Sequence, residues 1–273
     1  MTTIAFIGAG NMASAIIGGL INNGAEAKSI WACDPGQDKL DQLATQFGIR
    51  TTADNLTAIP QADVVILAVK PQVMESVLAP LQSALQNKKP LIISVAAGIN
   101  LNSLSNWCGG PLPIVRCMPN TPALVGQGAS GLYANKETSA QQKSISEDIL
   151  NAVGMSVWVQ TENELNAVTA VSGSGPAYYF LFMEAMIAAG EKLGLSKETA
   201  TTLTLKTALG AATMASNSDL EPAQLRKNVT SPNGTTEQAI NTFIENGLES
   251  LVDKALTAAS DRSESLSDEL GLK

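Results

Sequence analysis

Two stretches of this 273-residue chain place glycine and small polar residues just ahead of a helical pattern. Free backbone N–H groups at such a helix start can hold an anion. In the first stretch, Gly8-Ala9-Gly10-Asn11-Met12-Ala13 follows the aliphatic run Ile4–Ile7. Gly8 makes the tight turn, Gly10 lets a pyrophosphate approach the backbone, and Ala13 lets the helix pack on the strand. Ile7, Gly8, Ala9, Gly10, Asn11 and Met12 are therefore expected to line a dinucleotide. In the second, Asn228-Val229-Thr230-Ser231-Pro232-Asn233-Gly234-Thr235-Thr236-Glu237 is a turn running into a helix. The N–H groups of Gly234, Thr235 and Thr236 would make a carboxylate-sized site with hydroxyls beside it. The alternative is that Thr235 is only a helix cap with a glutamate nearby.

Other candidates follow strand-like runs. Asp34 stands 24 residues after Gly10 at the end of Ser29–Cys33, where an acid commonly accepts the adenine ribose hydroxyls. Such a carboxylate disfavours a 2′-phosphate, and the nearest basic residue downstream is Lys39. The alternative for Asp34 is a turn or cap residue of Asp34-Pro35-Gly36. Ala68-Val69-Lys70-Pro71 closes the run Val64–Val69, and Lys70 could meet a phosphate or ribose. Met118-Pro119-Asn120-Thr121-Pro122 closes Ile114–Met118, and Asn120 has the donor and acceptor for a carboxamide; the alternative is a rigid turn. Ser172-Gly173-Ser174-Gly175-Pro176-Ala177-Tyr178 opens a long helix, its proline suited to the first turn.

Composition limits the chemistry further. Histidine is absent, which removes His-based acid–base catalysis, the Ser-His-Asp triad and every His-containing metal site, and no metal site is expected. A net charge of −8 provides no general field for a nucleic-acid backbone or an anionic membrane. Cys33, Cys108 and Cys117 form no CxxC pair and read as reduced, buried residues. No basic leader and no apolar stretch of about 20 residues is found, so a cytoplasmic location is expected.

The elements that must position these residues fall into two classes. Ile4–Ile7, Ser29–Cys33, Val64–Val69, Leu91–Val95 and Ile114–Met118 are short aliphatic runs, suited to strands covered on both faces. Between them Met12–Ile21, Asp38–Phe47, Val73–Leu85 and Leu101–Trp107 have helical spacing, the pattern of a parallel sheet with crossover helices. Gly128–Ala134 and Ser156–Val159 read as further strands around a helix near Ala140–Ala152. Beyond about Glu162 the segments Ala177–Leu193, Lys197–Ser216, Thr236–Asn246 and Leu248–Ala259 are all helical in pattern. The expectation is an α/β Rossmann-type dinucleotide-binding domain over 1–160 and an all-helical domain over 161–273. Up to Gln160 there are 9 basic and 10 acidic residues, against 8 and 15 beyond it, so the excess negative charge avoids the half expected to meet phosphates.

With these motifs in this order, the chain closely resembles the pyrroline-5-carboxylate reductase family. The resemblance covers nearly the full length: FIGAGNMA, AVKP, RCMPNTP, SGSGPAY and, most specific, NVTSPNGTTEQAI. It implies hydride transfer from NAD(P)H to the C=N bond of 1-pyrroline-5-carboxylate, giving L-proline. It also implies Asn55, Ala68, Val69, Lys70, Asn120 and Asn228 as cofactor contacts. Glu162, Ser231, Gly234, Thr235 and Thr236 are implied around the substrate, the Thr236 hydroxyl bonding the ring nitrogen. NADP(H) is expected by family tendency, with NAD(H) usable because of Asp34. The helical half is expected to dimerise, since Ala177–Leu193 and Lys197–Ser216 are apolar around their circumference; the resemblance implies dimers arranged into a homodecamer.

Two departures stand out. Asn233 replaces a second glycine, and Asp34-Pro35 replaces the polar or basic residues of NADPH-preferring members. A related β-hydroxyacid dehydrogenase would have Lys and Asn at the helix start where Tyr179 and Phe182 stand, which disfavours an alcohol substrate. A non-catalytic nucleotide-binding protein is disfavoured by retention of the whole Ser231–Thr236 segment.

Overall fold

The computed structural model describes residues 2–271; Met1, Leu272 and Lys273, the ends of the two expected domains, lie outside the described residues. The chain begins as alternating strands and helices: β1 (Ile4–Ile7), α1 (Asn11–Asn22), β2 (Ile30–Cys33), α2 (Gln37–Phe47), β3 (Arg50–Thr52), α3 (Asn55–Ala58) and β4 (Val64–Leu67). Next come α4 (Met74–Leu78), α5 (Gln82–Lys88), β5 (Leu91–Ser94), α6 (Leu101–Trp107), β6 (Ile114–Met118), β7 (Gly128–Ala134), α7 (Ala140–Asn151), β8 (Gly154–Trp158) and α8 (Glu164–Val168). The rest is helical: α9 (Gly175–Lys192), α10 (Lys197–Ser216), α11 (Pro222–Asn228), α12 (Thr235–Glu245) and α13 (Leu248–Gly271).

Among the described residues, eight strands form one sheet in the order β3-β2-β1-β4-β5-β6-β7-β8. The pairs from β3 to β6 are parallel, in register Ile4↔Ile30 and Ile4↔Val64 for example, as the runs of consecutive aliphatic residues led one to expect. Alternate residues of β1 serve two cores: Ile4 and Phe6 pack with Ile16 and Ile17 of α1, Ala5 and Ile7 with Met74 and Leu78 of α4. Helices thus cover both faces, which is why the central strands lack polar alternation. The β6–β7 pair is antiparallel. Between those strands the chain makes only a 3-10 turn, Thr121–Val125, with no crossover helix to bring it back parallel.

Three expectations about elements change. The single helix over Val73–Leu85 is broken into α4, a 3-10 turn at Ala79–Leu81 and α5, because Pro80 has no N–H to continue the ladder. The edge strand β3 carries no aliphatic residue, so it gave no strand signal. The last helix continues past Ala259 to Gly271, held by the Ser263 hydroxyl donating to Asn166 Oδ1 at 2.8 Å and by Leu266 and Leu270 beside Gly98.

The chain forms two compact units, one comprising residues up to Ser174 together with those from Ala258 onward, the other Gly175–Thr257. The expected division at 160/161 therefore falls inside the first unit, ahead of α8 and the π-helical turn Thr169–Gly173. Within the second unit only Gly175, Ala200 and Thr204 are buried. Its α9 exposes Tyr179, Phe180, Leu181 and Phe182 consecutively, at 70%, 59%, 66% and 47%. Such a unit has almost no core of its own. Among the described residues, no helix is long and apolar enough to cross a membrane.

Candidate active site

In the first unit, β1, β2, β4, β5 and β6 run parallel, so the turns after them gather at one sheet edge. Gly8 has φ +104°, and a Cβ there would lie 2.7 Å from the Ala68 carbonyl oxygen, so only glycine fits between β1 and β4. Its N–H donates to Cys33 O at 2.7 Å. Gly10 caps α1 with no side-chain hydrogen bond, the first turn holds no acid, and the space a Cβ would fill is open. These features fit a phosphate at the start of α1. Ile7, Gly8 and Ala9 are buried, Gly10 and Met12 half-buried and Asn11 exposed. Ala68 and Val69 are half-buried beside it, Lys70 is exposed, and Asn55 is the half-buried first residue of α3.

Asp34 directly follows β2, as expected, but its carboxylate is engaged within the protein. Oδ2 accepts the Ala9 N–H at 3.0 Å, Oδ1 accepts the Gly36 N–H at 2.9 Å, and Lys39 Nζ lies 3.2 and 3.3 Å from the two oxygens. The turn alternative is thus realised in Asp34-Pro35-Gly36, with the addition of a bond to the glycine turn. Burial pushes this carboxyl's pKa up, but the Ala9 and Gly36 N–H groups and Lys39 outweigh it, leaving the group below its ordinary 3.8. Cys33, Cys108 and Cys117 are free and buried, and burial is the main reason each thiol is pushed up to about 12. None supplies a thiolate at neutral pH.

Asn120 also spends its amide inside the protein. Nδ2 donates to the carbonyl and hydroxyl oxygens of Ser172 at 3.2 and 3.3 Å, and Oδ1 accepts the Ala129 N–H at 2.9 Å. The Ser172 hydroxyl in turn donates to Ala129 O at 2.9 Å. This ring ties the turn after β6 to β7 and to the π-helical turn, the contacts expected of a rigid turn. Glu162 Oε1 accepts from Arg116 Nη1 at 2.6 Å and from Leu101 N, at the start of α6, at 2.7 Å. Arg116 is not among the residues expected at the site, although it is the lone charge in the otherwise apolar run Ile114–Met118.

In the second unit, the Ser231–Glu237 segment forms a tight turn into α12. Gly234, not Thr235, caps the helix, with no side-chain cap bond, so Thr235 and Thr236 are its first two residues and both are exposed. The Gly234 N–H donates to Ser231 O at 3.0 Å, and a Cβ on Gly234 would stand 2.9 Å from that oxygen. Asn233 adopts φ +59° and its N–H donates to Glu237 Oε2 at 2.7 Å, so the left-handed turn survives without the second glycine. The first-turn N–H groups of α12 lie beside two hydroxyls, and the acid of that turn, Glu237, is bonded back to the Asn233 N–H; N–H groups at such a helix start can hold an anion. Ser231 is exposed at the turn's entry, and Asn228 ends α11 with Oδ1 accepting from Gln224 Nε2 at 2.8 Å.

Known proteins resemble the chain throughout. Residues 162–266 match the family model for pyrroline-5-carboxylate reductase dimerisation, and residues 3–98 that for NADP oxidoreductase, coenzyme F420-dependent. A pyrroline-5-carboxylate reductase of Pseudomonas aeruginosa is 57% identical over 98% of each chain, and one of Vibrio alginolyticus is 47% identical over 96% of this chain and 97% of its own. The solved Coxiella burnetii reductase, 47% identical, superposes with a TM-score of 0.95, covering 97% of this chain and 98% of that one. The Plasmodium falciparum pyrroline carboxylate reductase, solved with NADP bound, is 31% identical with a TM-score of 0.85 and the same coverage. Similar to these enzymes from end to end, the chain belongs to the pyrroline-5-carboxylate reductase family.

Proposed function

We propose that this chain reduces 1-pyrroline-5-carboxylate to L-proline, the last step of proline biosynthesis, using NADPH and also accepting NADH. The observation that carries the reading is the start of α12: a glycine-capped helix with no side-chain cap and two exposed threonines, in a chain of this family. A carboxylate suits that helix start, where N–H groups and the helix dipole favour negative charge without any cationic side chain. Thr236 then bonds the ring nitrogen and holds the imine in one orientation, with Thr235, Gly234 and Ser231 shaping the carboxylate site.

The backbone from Gly8 to Met12 at the start of α1 holds the coenzyme pyrophosphate, with Asn55, Ala68, Val69 and Lys70 along the same edge. The reduced nicotinamide supplies the hydride when bound. The imine nitrogen, protonated as the iminium, draws the C=N π pair onto itself as hydride adds to carbon, and its proton becomes that of the secondary amine. No histidine is required, because orientation and the Thr236 hydroxyl carry the protein's share of the catalysis. Asn120 and Glu162 act in this scheme as positioning residues, through Ser172 and Arg116.

The helical unit is a dimerisation unit. With Gly175, Ala200 and Thr204 as its buried residues and the α9 aromatics uncovered, a second copy is the natural cover for its surface. Assembly of dimers into a decamer and a cytoplasmic location complete the proposal. The deciding experiment is imine-dependent oxidation of NADPH and NADH by the purified protein. Turnover with either coenzyme supports the reading, and none with both coenzymes removes it and favours a non-catalytic nucleotide binder.

A further inference from the structure

We infer that Lys39 recognises the 2′-phosphate of the coenzyme, while Asp34 holds the glycine turn in shape and does not bind the ribose. The inference rests on the reading that the chain binds NADP(H), and it assigns the residue that sets coenzyme preference. A carboxylate has about four acceptor positions. Those of Asp34 meet the N–H groups of Ala9 and Gly36 and both contacts of Lys39, at 2.9–3.3 Å. A ribose diol, bringing two O–H donors, would have to displace an amide from a residue that is 8% exposed.

Lys39 is differently placed. Its side chain is 56% exposed on the first turn of α2, whose cap Gly36 makes no side-chain bond to the helix start. An ammonium carries three N–H donors, and the two contacts with Asp34 leave at least one for another anion. The pair also offsets the Asp34 charge, so a 2′-phosphate does not meet a bare carboxylate. Asp38, exposed in the same turn, opposes the attraction. Selectivity therefore comes from the Lys39 donors rather than from the net charge of this corner.

The test measures dissociation constants of NADPH and NADH by titration of the intact protein, at low and high salt. Lys39→Gln is expected to weaken NADPH on the order of tenfold and to leave NADH within about twofold, with the NADPH loss shrinking in high salt. Lys39→Arg should retain NADPH, and Asp38→Asn should tighten NADPH alone. Asp34→Ser should weaken both coenzymes together, because the Ala9 amide loses its acceptor. Equal effects of Lys39→Gln on both coenzymes, or none on either, overturn the assignment, as does Asp34→Ser weakening NADH while strengthening NADPH. Wild-type protein that binds neither coenzyme overturns the functional reading and the assignment together.

Discussion

Arg116 and Glu162 meet at a single oxygen: Oε1 of Glu162 lies 2.6 Å from Nη1 of Arg116 and also accepts the N–H of Leu101. One carboxylate thereby joins β6, the start of α6 and the segment ahead of α8. Arg116 is only 11% exposed at its side chain, so it depends on this partner.

Glu162→Ala leaves that guanidinium unpaired and the Leu101 N–H without its acceptor. The expected cost is about 2–3 kcal/mol, toward or below the low end for a buried pair because the Glu162 side chain is 30% exposed. Urea unfolding measures it, and imine kinetics separate the roles. An unchanged KM beside lost stability fits a positioning residue, whereas a large KM rise at full stability would return Glu162 to the substrate.

The depressed pKa of Asp34 makes part of the stability dependent on acid. Its folded value lies below 3.8, so the contribution is fully present above that ordinary value and is lost as pH falls through the lower folded one. The stability difference between wild type and Asp34→Asn should hold steady at neutral pH and shrink below about pH 4. Thermal unfolding of both proteins across that range gives the comparison. A difference independent of pH would mean that the carboxylate charge contributes nothing.

How much of this was legible beforehand depended on whether the signal was local. β1 and β6 coincide with the runs seen in sequence, because both faces of the central sheet are buried and the aliphatic residues run together. β3 did not show, since its three residues sit at an exposed edge. The extension of α13 depends on Ser263 meeting Asn166, 97 positions away, which no helical period contains. The spacing from Gly10 to Asp34 was readable. That Asp34 receives the Ala9 amide, and Asn120 the Ala129 amide, was not, because a side-chain type states what it can bond to and not which partner the fold brings.

The turn into α12 should be intolerant of one methyl group. In Gly234→Ala the new Cβ would stand 2.9 Å from Ser231 O, so the turn must open and the first-turn N–H groups must move. The imine KM is expected to rise by roughly tenfold or more, with coenzyme affinity unchanged, since the proposed pyrophosphate site is built from Gly8–Met12. A normal KM would show that the carboxylate binds elsewhere.

Thr236→Val keeps the shape of that helix start and deletes the hydroxyl. If the hydroxyl matters more in the transition state than in the ground state, kcat should fall on the order of 10–100-fold while coenzyme affinity stays constant. Thr236→Ser should recover most of the rate. A near-normal kcat for the valine variant would leave substrate orientation alone as the protein's contribution.

The most direct measurement follows the hydride itself. NADPH carrying deuterium at the transferable C4 position is supplied with 1-pyrroline-5-carboxylate, and the product is analysed by mass spectrometry and NMR. The expected result is proline with one deuterium at the former imine carbon, formed in step with coenzyme oxidation. Coenzyme oxidation that yields unlabelled proline, or no proline, would contradict hydride transfer to the C=N bond.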